Sequence, residues 1–201
     1  MITVSTSISS ERNYHHGDLR SALVEAGLAA LEHGDADAVS LRELARKVGV
    51  SATAVYRHFP DKKALLAALA SAGLARLGEA QRLASEQAGG GPAGFSATGR
   101  AYVRFALAHP ALFRLTFTHG DPSGGGAAGE NEAWELLSSY AERFAGADAQ
   151  RLQLQAWAVA HGLAMLMLDG LLPADDALID SVIDQQTLFA YPPGSSKDAS
   201  P

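Results

Sequence analysis

The segment from Val39 to Leu66 constrains the fold more than any other part of this chain, because its spacing predicts two short helices joined by a tight turn. Ser40 and Glu43 form a capping box, in which the side chains at a helix start satisfy its free amides. Gly49 is placed to end this helix in the left-handed conformation, and Ser51 can cap the next helix. A turn of three or four residues between two helices predicts a helix-turn-helix.

Apolar residues give each of these helices one face to bury. Val55 and Phe59 lie one turn apart on the second helix, which should run from Ser51 to Phe59. The first helix repeats apolar residues at intervals of three and four, at Leu41, Leu44, Ala45 and Val48. Both helices should therefore pack on a shared core.

The outer face of the second helix is small and polar at its start. The short side chains from Ser51 to Ala54 would let this turn approach base edges, and Thr53 can exchange a hydrogen bond there or contact a thymine methyl. Donors suited to phosphate oxygens follow, namely Tyr56, Arg57, His58, Lys62 and Lys63. This pattern favours DNA as the partner of the segment.

Charge is distributed unevenly along the chain. Residues 39–63 hold six basic and two acidic side chains, a net charge of +4, whereas the whole chain carries −6, which leaves −10 for the remainder. Phosphate contacts supply much of non-specific DNA affinity, so a basic segment on an acidic body suits a DNA-binding protein. The alternative is an ordinary helical hairpin with solvated charges.

The run S-L-R-E-L-A-R-K-V-G-V-S-x-x-x-V-Y-R-H-F-P-D-K-K-A-L-L resembles the N-terminal domain of TetR-family transcriptional regulators, and the likeness covers about Tyr14 to Ala70. The resemblance implies an all-α, homodimeric repressor whose three-helix head binds a palindromic operator and whose larger helical domain binds a small effector and forms the dimer. It puts operator contacts on Arg42, Ala52, Thr53, Ala54, Tyr56, His58 and Lys62, to which we add the flanking Ser40 and Ser51.

The remaining pattern predicts helices throughout. They are expected at Asp18–Leu31, Asp61 to about Glu86, Phe95–Ala108, Ala111–Thr118, Glu130–Ala145, Ala149–Asp169 and Asp175–Leu188. The run Gly89-Gly90-Gly91-Pro92 should break the chain, and residues 121–129 should form a flexible loop. We expect a disordered tail at 1–13, the DNA-binding domain at 14–70, a ligand-binding and dimerisation domain at 71–190 and a second disordered tail at 191–201.

The C-terminal part carries a weaker signature. Trp157, His161 and Gly162 form W-x-x-x-H-G, and together with the run H-P-A-L-F-R from His109 this resembles the effector domain of the TetR subgroup named for its W-H-G residues. Aromatic residues with one or two polar groups suit a largely apolar small molecule. The predicted ligand-binding residues are Phe105, His109, Phe113, Phe117, Trp134, Trp157 and His161. The alternative is that these rings belong to the core and that His161 is a core histidine.

The helix that holds Trp157 is apolar nearly all round and needs cover on several sides, which a partner subunit would supply. The final helix offers a second apolar stripe at Leu178, Val182, Ile183 and Leu188. The resemblance implies the same homodimer, formed by the last two long helices. Two-fold symmetry would place the recognition helices about one DNA turn, or slightly more, apart.

Other classes of function have little support. Fingerprints of metalloproteases, serine hydrolases, P-loops and dinucleotide sites are absent, so no enzyme, cofactor or metal is expected, and the pair His15-His16 is weak support for a metal. The chain has no cysteine, no signal peptide and no apolar run long enough for a membrane span, which favours the cytoplasm. A ligand-independent regulator, an activator and a hydrophobic-ligand carrier that has lost DNA binding remain open.

Overall fold

The computed structural model describes residues 16–119 and 132–184, and all regular elements in these ranges are helical, which confirms the predicted all-α class. The predicted tails and the loop at 121–129 lie outside the described residues. Two 3-10 turns, Ala36–Ala38 and Gly146–Asp148, connect longer elements. The helices are α1 His16–Leu31, α2 Leu41–Val48, α3 Ala52–His58, α4 Lys62–Gln87, α5 Gly91–Ala108, α6 Pro110–His119, α7 Glu132–Ala145, α8 Ala149–Leu168 and α9 Asp176–Val182.

The head consists of α1, α2, α3 and the first half of α4, packed around one apolar core. The side chains of Leu23, Val55 and Leu69 are fully buried there, one from each of three helices. Gly27 of α1 lies so close to α4 that an added Cβ would stand 2.8 Å from Leu69 Cδ2. Each fully buried leucine or valine stabilises the fold by about 1.5–3 kcal/mol, so this small domain depends on these contacts.

The turn between α2 and α3 has the predicted chemistry. Gly49 adopts the left-handed conformation with φ 80° and ψ 32°, and its amide and that of Val50 both donate to the Ala45 carbonyl at 2.9 Å. Ser51 Oγ then accepts from the Ala54 amide at 3.2 Å and caps α3. A glycine takes this backbone conformation without the steric cost that a side chain brings, so the turn stays short.

The capping box predicted at Ser40 is wrong. Ser40 occupies the N-cap position of α2 with extended backbone, but its side chain makes no capping hydrogen bond. Instead, the backbone carbonyl of Ser40 accepts from the Leu44 amide at 3.0 Å. The start of α2 is therefore fixed by this backbone bond and by the burial of Leu41 and Leu44 in the head core.

Helix α4 belongs to both halves of the molecule. The carboxylate of Asp61 caps it by accepting from the Ala64 amide at 2.7 Å, and its 26 residues span about 39 Å. Leu65 and Leu69 are buried in the head, whereas Leu77 is buried in the body. The predicted domain boundary at residue 70 falls within this continuous helix.

The glycine run makes a tight turn within the body. Gly89, Gly90 and Gly91 all have positive φ, and the Gly90 amide donates to the Ser85 carbonyl at 2.9 Å. Helix α5 begins at Gly91, four residues before the predicted Phe95, because Pro92 is well suited to a first helical turn. The chain thus reverses so that α5 packs along α4.

The final helix is shorter than predicted. It ends at Val182, while Leu188 lies outside the described residues, so the expectation of a helix to Leu188 is wrong in its described part. Ile183 leaves the helix with φ −101° and ψ 57° and buries its side chain against Gly99 of α5. Arg100 donates to the Ile183 carbonyl at 3.0 Å, which fastens this end to α5.

Candidate nucleic-acid interface and effector cavity

The start of α3 presents its predicted contact residues on the outside of the head. Ser51, Ala52 and Thr53 are exposed, and Tyr56 keeps 44% of its surface exposed although it is aromatic. Ala54 is half-buried and packs against the head core, so it faces the protein more than its neighbours do. Thr53 and Tyr56 stand three residues apart and therefore share one helix face.

The remaining predicted contacts surround this face. Arg42 of α2 is exposed, whereas Ser40 and His58 are half-buried. Lys62 Nζ donates to the backbone carbonyl of Asp37 at 2.7 Å, which ties the start of α4 to the 3-10 turn before α2. An ammonium group has three N–H donors, so two remain for a phosphate.

The exposed cations of residues 39–63 lack internal counter-charges, unlike most arginines of the body. Within residues 16–119 and 132–184 most body arginines form ion pairs, among them Arg82 with Glu79 at 2.7 Å and Arg104 with Asp176 at 2.7 Å. Ion pairs to the exposed cations of residues 39–63 are absent from the same ranges. These cations are Arg42, Arg46, Lys47, Arg57 and Lys63. Their charge is available to an outside anion such as the DNA backbone.

A cavity lies in the body between α4, α5, α7 and α8. About 50 Å³ of this cavity is open to a water-sized molecule, and the cavity widens to solvent at its mouth. The side chains and glycine that line it are Leu74, Leu77, Gln81, Phe95, Thr98, Gly99, Tyr102, Phe117, Ala133, Trp134, Leu137, Ala156, Trp157, Val159, Ala160 and Ile183.

Three of the seven predicted ligand residues line this cavity, namely Phe117, Trp134 and Trp157. The two tryptophan rings meet edge to face, with centroids 5.6 Å apart and planes at 86°. A flat apolar molecule can pack against the face of one such ring and the edge of the other.

Trp157, Tyr102 and His161 form a polar chain at the cavity wall. Trp157 Nε1 lies 3.4 Å from the Tyr102 hydroxyl oxygen, which lies 2.9 Å from His161 Nδ1. Indole N–H only donates, so the tyrosine oxygen accepts from Trp157. With the His161 proton assigned to Nε2, the tyrosine hydroxyl donates to Nδ1. Burial raises the pKa of Tyr102 and lowers that of His161, so both side chains are kept neutral.

The other predicted ligand residues lie elsewhere. Phe113 is fully buried in the core, behind Tyr102 and Phe117. Phe105 and His109 contact each other with ring centroids 4.9 Å apart and planes tilted by 53°, and both line a separate surface groove between α4 and α5. Equal spacing in sequence did not bring these rings to one place, because α5 and α6 turn them to different sides.

Sequence reasoning missed three polar residues of the cavity, Gln81, Thr98 and Tyr102. Gln81 stands seven residues after Leu74 and four after Leu77, on the apolar stripe of α4. A lone amide on such a stripe is the sequence signal that indicates a buried polar group. For Tyr102 the signal is weaker, because its ring also fits an ordinary core position.

Comparison with known proteins decides the family. The family model described as bacterial regulatory proteins, tetR family, matches residues 23–69, and the model described as Tetracyclin repressor-like, C-terminal domain, matches residues 95–187. Together the two matches cover well over half of the chain. The chain belongs to the TetR family of transcriptional regulators. The predicted family is confirmed, and this TetR-family protein is a DNA-binding transcriptional regulator.

Solved structures agree in fold. A protein with unknown function from Rhodococcus sp. RHA1 is 36% identical, with 89% of this chain and 97% of that chain covered and a TM-score of 0.70. A tetR-family transcriptional regulator from Streptomyces coelicolor is 22% identical, covering 87% of this chain and 81% of that one with a TM-score of 0.63. A TetR transcriptional regulator from Rhodococcus sp. RHA1 is 20% identical, covering 88% and 97% respectively, with a TM-score of 0.50. A comparison with curated proteins gave no match.

TetR-family regulators are in general not enzymes. Among residues 16–119 and 132–184, a cluster of three or more His, Asp or Glu side chains able to hold a metal ion is absent. The helices described in those ranges are all too short or too polar to cross a membrane.

Proposed function

We propose that this TetR-family regulator is a repressor that binds a palindromic operator as a homodimer and is released by a small, largely apolar effector. The observation that carries the proposal is the course of α4. Its residues Leu65 and Leu69 lie in the core of the head, and Leu74, Leu77 and Gln81 of the same helix line the body cavity. A molecule in the cavity therefore touches the helix that positions the head.

The DNA-binding part of the proposal rests on α3 and its surroundings. Thr53 is exposed near the N-terminus of α3, where a recognition helix meets base edges. Tyr56, Arg42 and Lys62 flank it as phosphate donors. We assign operator contacts to Ser40, Arg42, Ser51, Ala52, Thr53, Ala54, Tyr56, His58 and Lys62, with 14–70 as the DNA-binding and 71–190 as the ligand-binding and dimerisation region.

The dimer part rests on α8. Leu154, Ala158, Gly162 and Leu166 recur every fourth residue, which makes one ridge, and Leu154 and Leu166 are 49% and 42% exposed. A Cβ built on Gly162 would meet nothing within 4 Å, so the ridge has open space beside it. A second copy placed on this ridge by a two-fold axis would cover it. Since α9 is only seven residues long, we assign most of the interface to α8.

The proposed release of the operator depends on the spacing between the two heads of the dimer. An effector lowers operator affinity only by binding more tightly to the body conformation whose two heads are wrongly spaced. Helix α4 is the connection that would carry this difference, because it passes from the cavity to the head without a break. An activator or a ligand-independent regulator would use the same head. A carrier that has lost DNA binding fits poorly with five exposed cations in residues 39–63 that lack counter-charges.

The test is a fluorescence anisotropy titration against the DNA that flanks the protein's own gene, at several salt concentrations. We expect a specific complex with a two-fold symmetric site, an affinity that falls steeply with salt, and dissociation by the inducer. If candidate inducers bind the protein but leave operator affinity unchanged, the release mechanism is wrong. Absence of any specific, salt-dependent complex would favour the carrier.

A further inference from the structure

We propose that the body cavity selects a neutral aromatic molecule that carries a hydroxyl or amide N–H group, and that this group donates a hydrogen bond to the side-chain oxygen of Gln81. The inference rests on the proposed function in one respect, since it takes the cavity as the effector site. It adds the chemical class of the effector and the residue that reads it.

Gln81 is the feature that points to a donor. Its side chain lines the cavity and is 7% exposed, and its Nε2 donates to the Thr98 carbonyl at 3.2 Å. That bond fixes the amide so that Oε1 is the free end, and Oε1 is buried without a partner in the described part of the chain. Buried acceptors of proteins are almost always paired, so a ligand that brings a donor gains a bond at no further desolvation of the protein.

The neighbouring polar groups do not offer the ligand a competing donor. With the His161 proton assigned to Nε2, the Tyr102 hydroxyl donates to Nδ1, and the Trp157 N–H is directed to the Tyr102 oxygen. The Tyr102 oxygen can therefore only accept a further hydrogen bond, through its remaining lone pair. The Thr98 hydroxyl donates to the Phe95 carbonyl at 2.7 Å. A molecule with only acceptor groups would therefore leave the Gln81 oxygen unpaired, whereas an O–H or N–H group matches it.

The absence of charge in the cavity wall determines that the ligand is neutral. Among the described lining residues there is no Asp, Glu, Lys, Arg or His. An ion in such a site would lose its hydration without gaining a counter-charge, which is far more costly than burying a hydroxyl. Carboxylates and amines are therefore disfavoured relative to phenols and amides of similar shape.

The aromatic wall determines that the ligand is flat. Trp134 and Trp157 stand edge to face, and Phe117 joins them at the cavity. Aromatic partners prefer offset-stacked and edge-to-face arrangements, which these perpendicular rings can offer together to one planar molecule.

The experiment uses three probes of the same ring system, 2-naphthol, 2-methoxynaphthalene and 2-naphthoate, titrated into the full-length protein at pH 7 by calorimetry. We expect 2-naphthol to bind about tenfold more tightly than its methyl ether, which lacks the donor, and 2-naphthoate to bind most weakly. In Gln81→Met the preference for 2-naphthol should fall to within about twofold, while the methyl ether keeps its affinity. Gln87→Met is the matched control on the exposed end of α4 and should keep the wild-type preference.

Three results would overturn the inference: an unchanged preference in Gln81→Met, tightest binding by 2-naphthoate, or no binding by any probe. If circular dichroism shows that Gln81→Met is unfolded, the ranking of the three probes by affinity for the wild type tests the inference without the variant. Operator affinity measured in the presence of bound 2-naphthol separates this inference from the proposed function. Unchanged operator affinity would contradict release and leave the ligand class standing.

Discussion

The hydroxyl of Tyr102 and Nδ1 of His161 lie 2.9 Å apart, and this bond joins α5 to α8 beside the cavity. Burial of the phenol raises the pKa of Tyr102, so it remains a donor. Burial also lowers the pKa of His161 from its usual 6.5, so the imidazole remains an acceptor near neutral pH. A proton on Nδ1 would remove the acceptor that this hydroxyl uses.

The stability of the fold should therefore decrease as the pH falls below about 6.5, and His161 should contribute to that decrease. Because the pKa of His161 is lower in the folded state, the unfolded state takes up its proton first and is favoured in acid. We expect the free energy of unfolding of His161→Phe to depend less on pH between 5 and 7 than that of the wild type. Urea denaturation at several pH values measures this dependence.

The exposed His33→Gln is the control for this pH effect and should retain the wild-type slope. Slopes are compared instead of absolute stabilities, because His161→Phe also removes a hydrogen bond. Parallel curves for the wild type and His161→Phe would show that His161 does not titrate differently in the two states.

The two serines at the helix-turn-helix should differ in their contribution to stability. Ser51 Oγ caps α3 by accepting from the Ala54 amide, whereas the Ser40 side chain makes no capping bond. We expect Ser51→Ala to lower the free energy of unfolding by about 1 kcal/mol and Ser40→Ala to lower it by less. Thermal denaturation of both variants checks this, and an equal or larger loss for Ser40→Ala would contradict the observed caps.

Lys62→Ala should weaken binding to every DNA sequence and reduce the salt slope by about one unit, because one phosphate contact is lost. The same change removes the bond from Lys62 to the Asp37 carbonyl and should cost about 1 kcal/mol of stability. Anisotropy titrations at several salt concentrations, with parallel denaturation curves, separate the two effects. Lys63→Ala, an exposed neighbour, is the control for stability. Equal salt slopes for the wild type and Lys62→Ala would remove Lys62 from the phosphate contacts.

Thr53→Ala should change which operators are preferred and leave the stability of the head unchanged, because Thr53 is exposed on α3. Losing a base contact typically costs about 1–3 kcal/mol for the sequence it reads. Competition binding against a library of operator variants measures the change. Thr118→Ala at the exposed end of α6 should keep the wild-type ranking. If Thr53→Ala also keeps it, this side chain does not read bases.

Leu166→Asp should convert the proposed dimer to monomers, because a carboxylate at the interface would lose its hydration without a partner. Leu83→Asp on α4 is a matched control, since Leu83 and Leu166 are both 42% exposed. Sedimentation velocity of the two variants gives the oligomeric state. A dimeric Leu166→Asp protein would place the interface away from the α8 ridge.

The local features of the head followed from the sequence because they depend on neighbours in the chain. The left-handed turn at Gly49, the cap at Ser51 and the burial of Val55 are set within a few residues. The bounds of α4 were also predicted to within one residue, because Asp61 and the glycine run mark its ends. The capping box at Ser40 was the exception, since the backbone and buried leucines hold that helix start.

The cavity could be predicted only in part. Trp134, Trp157 and Phe117 were identified as aromatics on amphipathic helices, but the same rule also selected Phe105 and His109, which face a different groove. Which ring enters the cavity depends on how α5, α6 and α8 are rotated against each other. That rotation is fixed by packing between distant residues, which spacing along one helix does not contain.

By itself, the sequence determined the all-α class, the helix-turn-helix and the basic charge of the head, because caps, turns and helical periodicity act over one or two turns of chain. The tertiary structure alone decided that Gln81 and Tyr102 share a cavity with Trp157, since these residues come from α4, α5 and α8. It also decided that Lys62 reaches the Asp37 carbonyl and that Ile183 ends α9 by packing on Gly99. Contacts between residues distant in sequence are set by the close packing of whole helices, which satisfies many side chains at once.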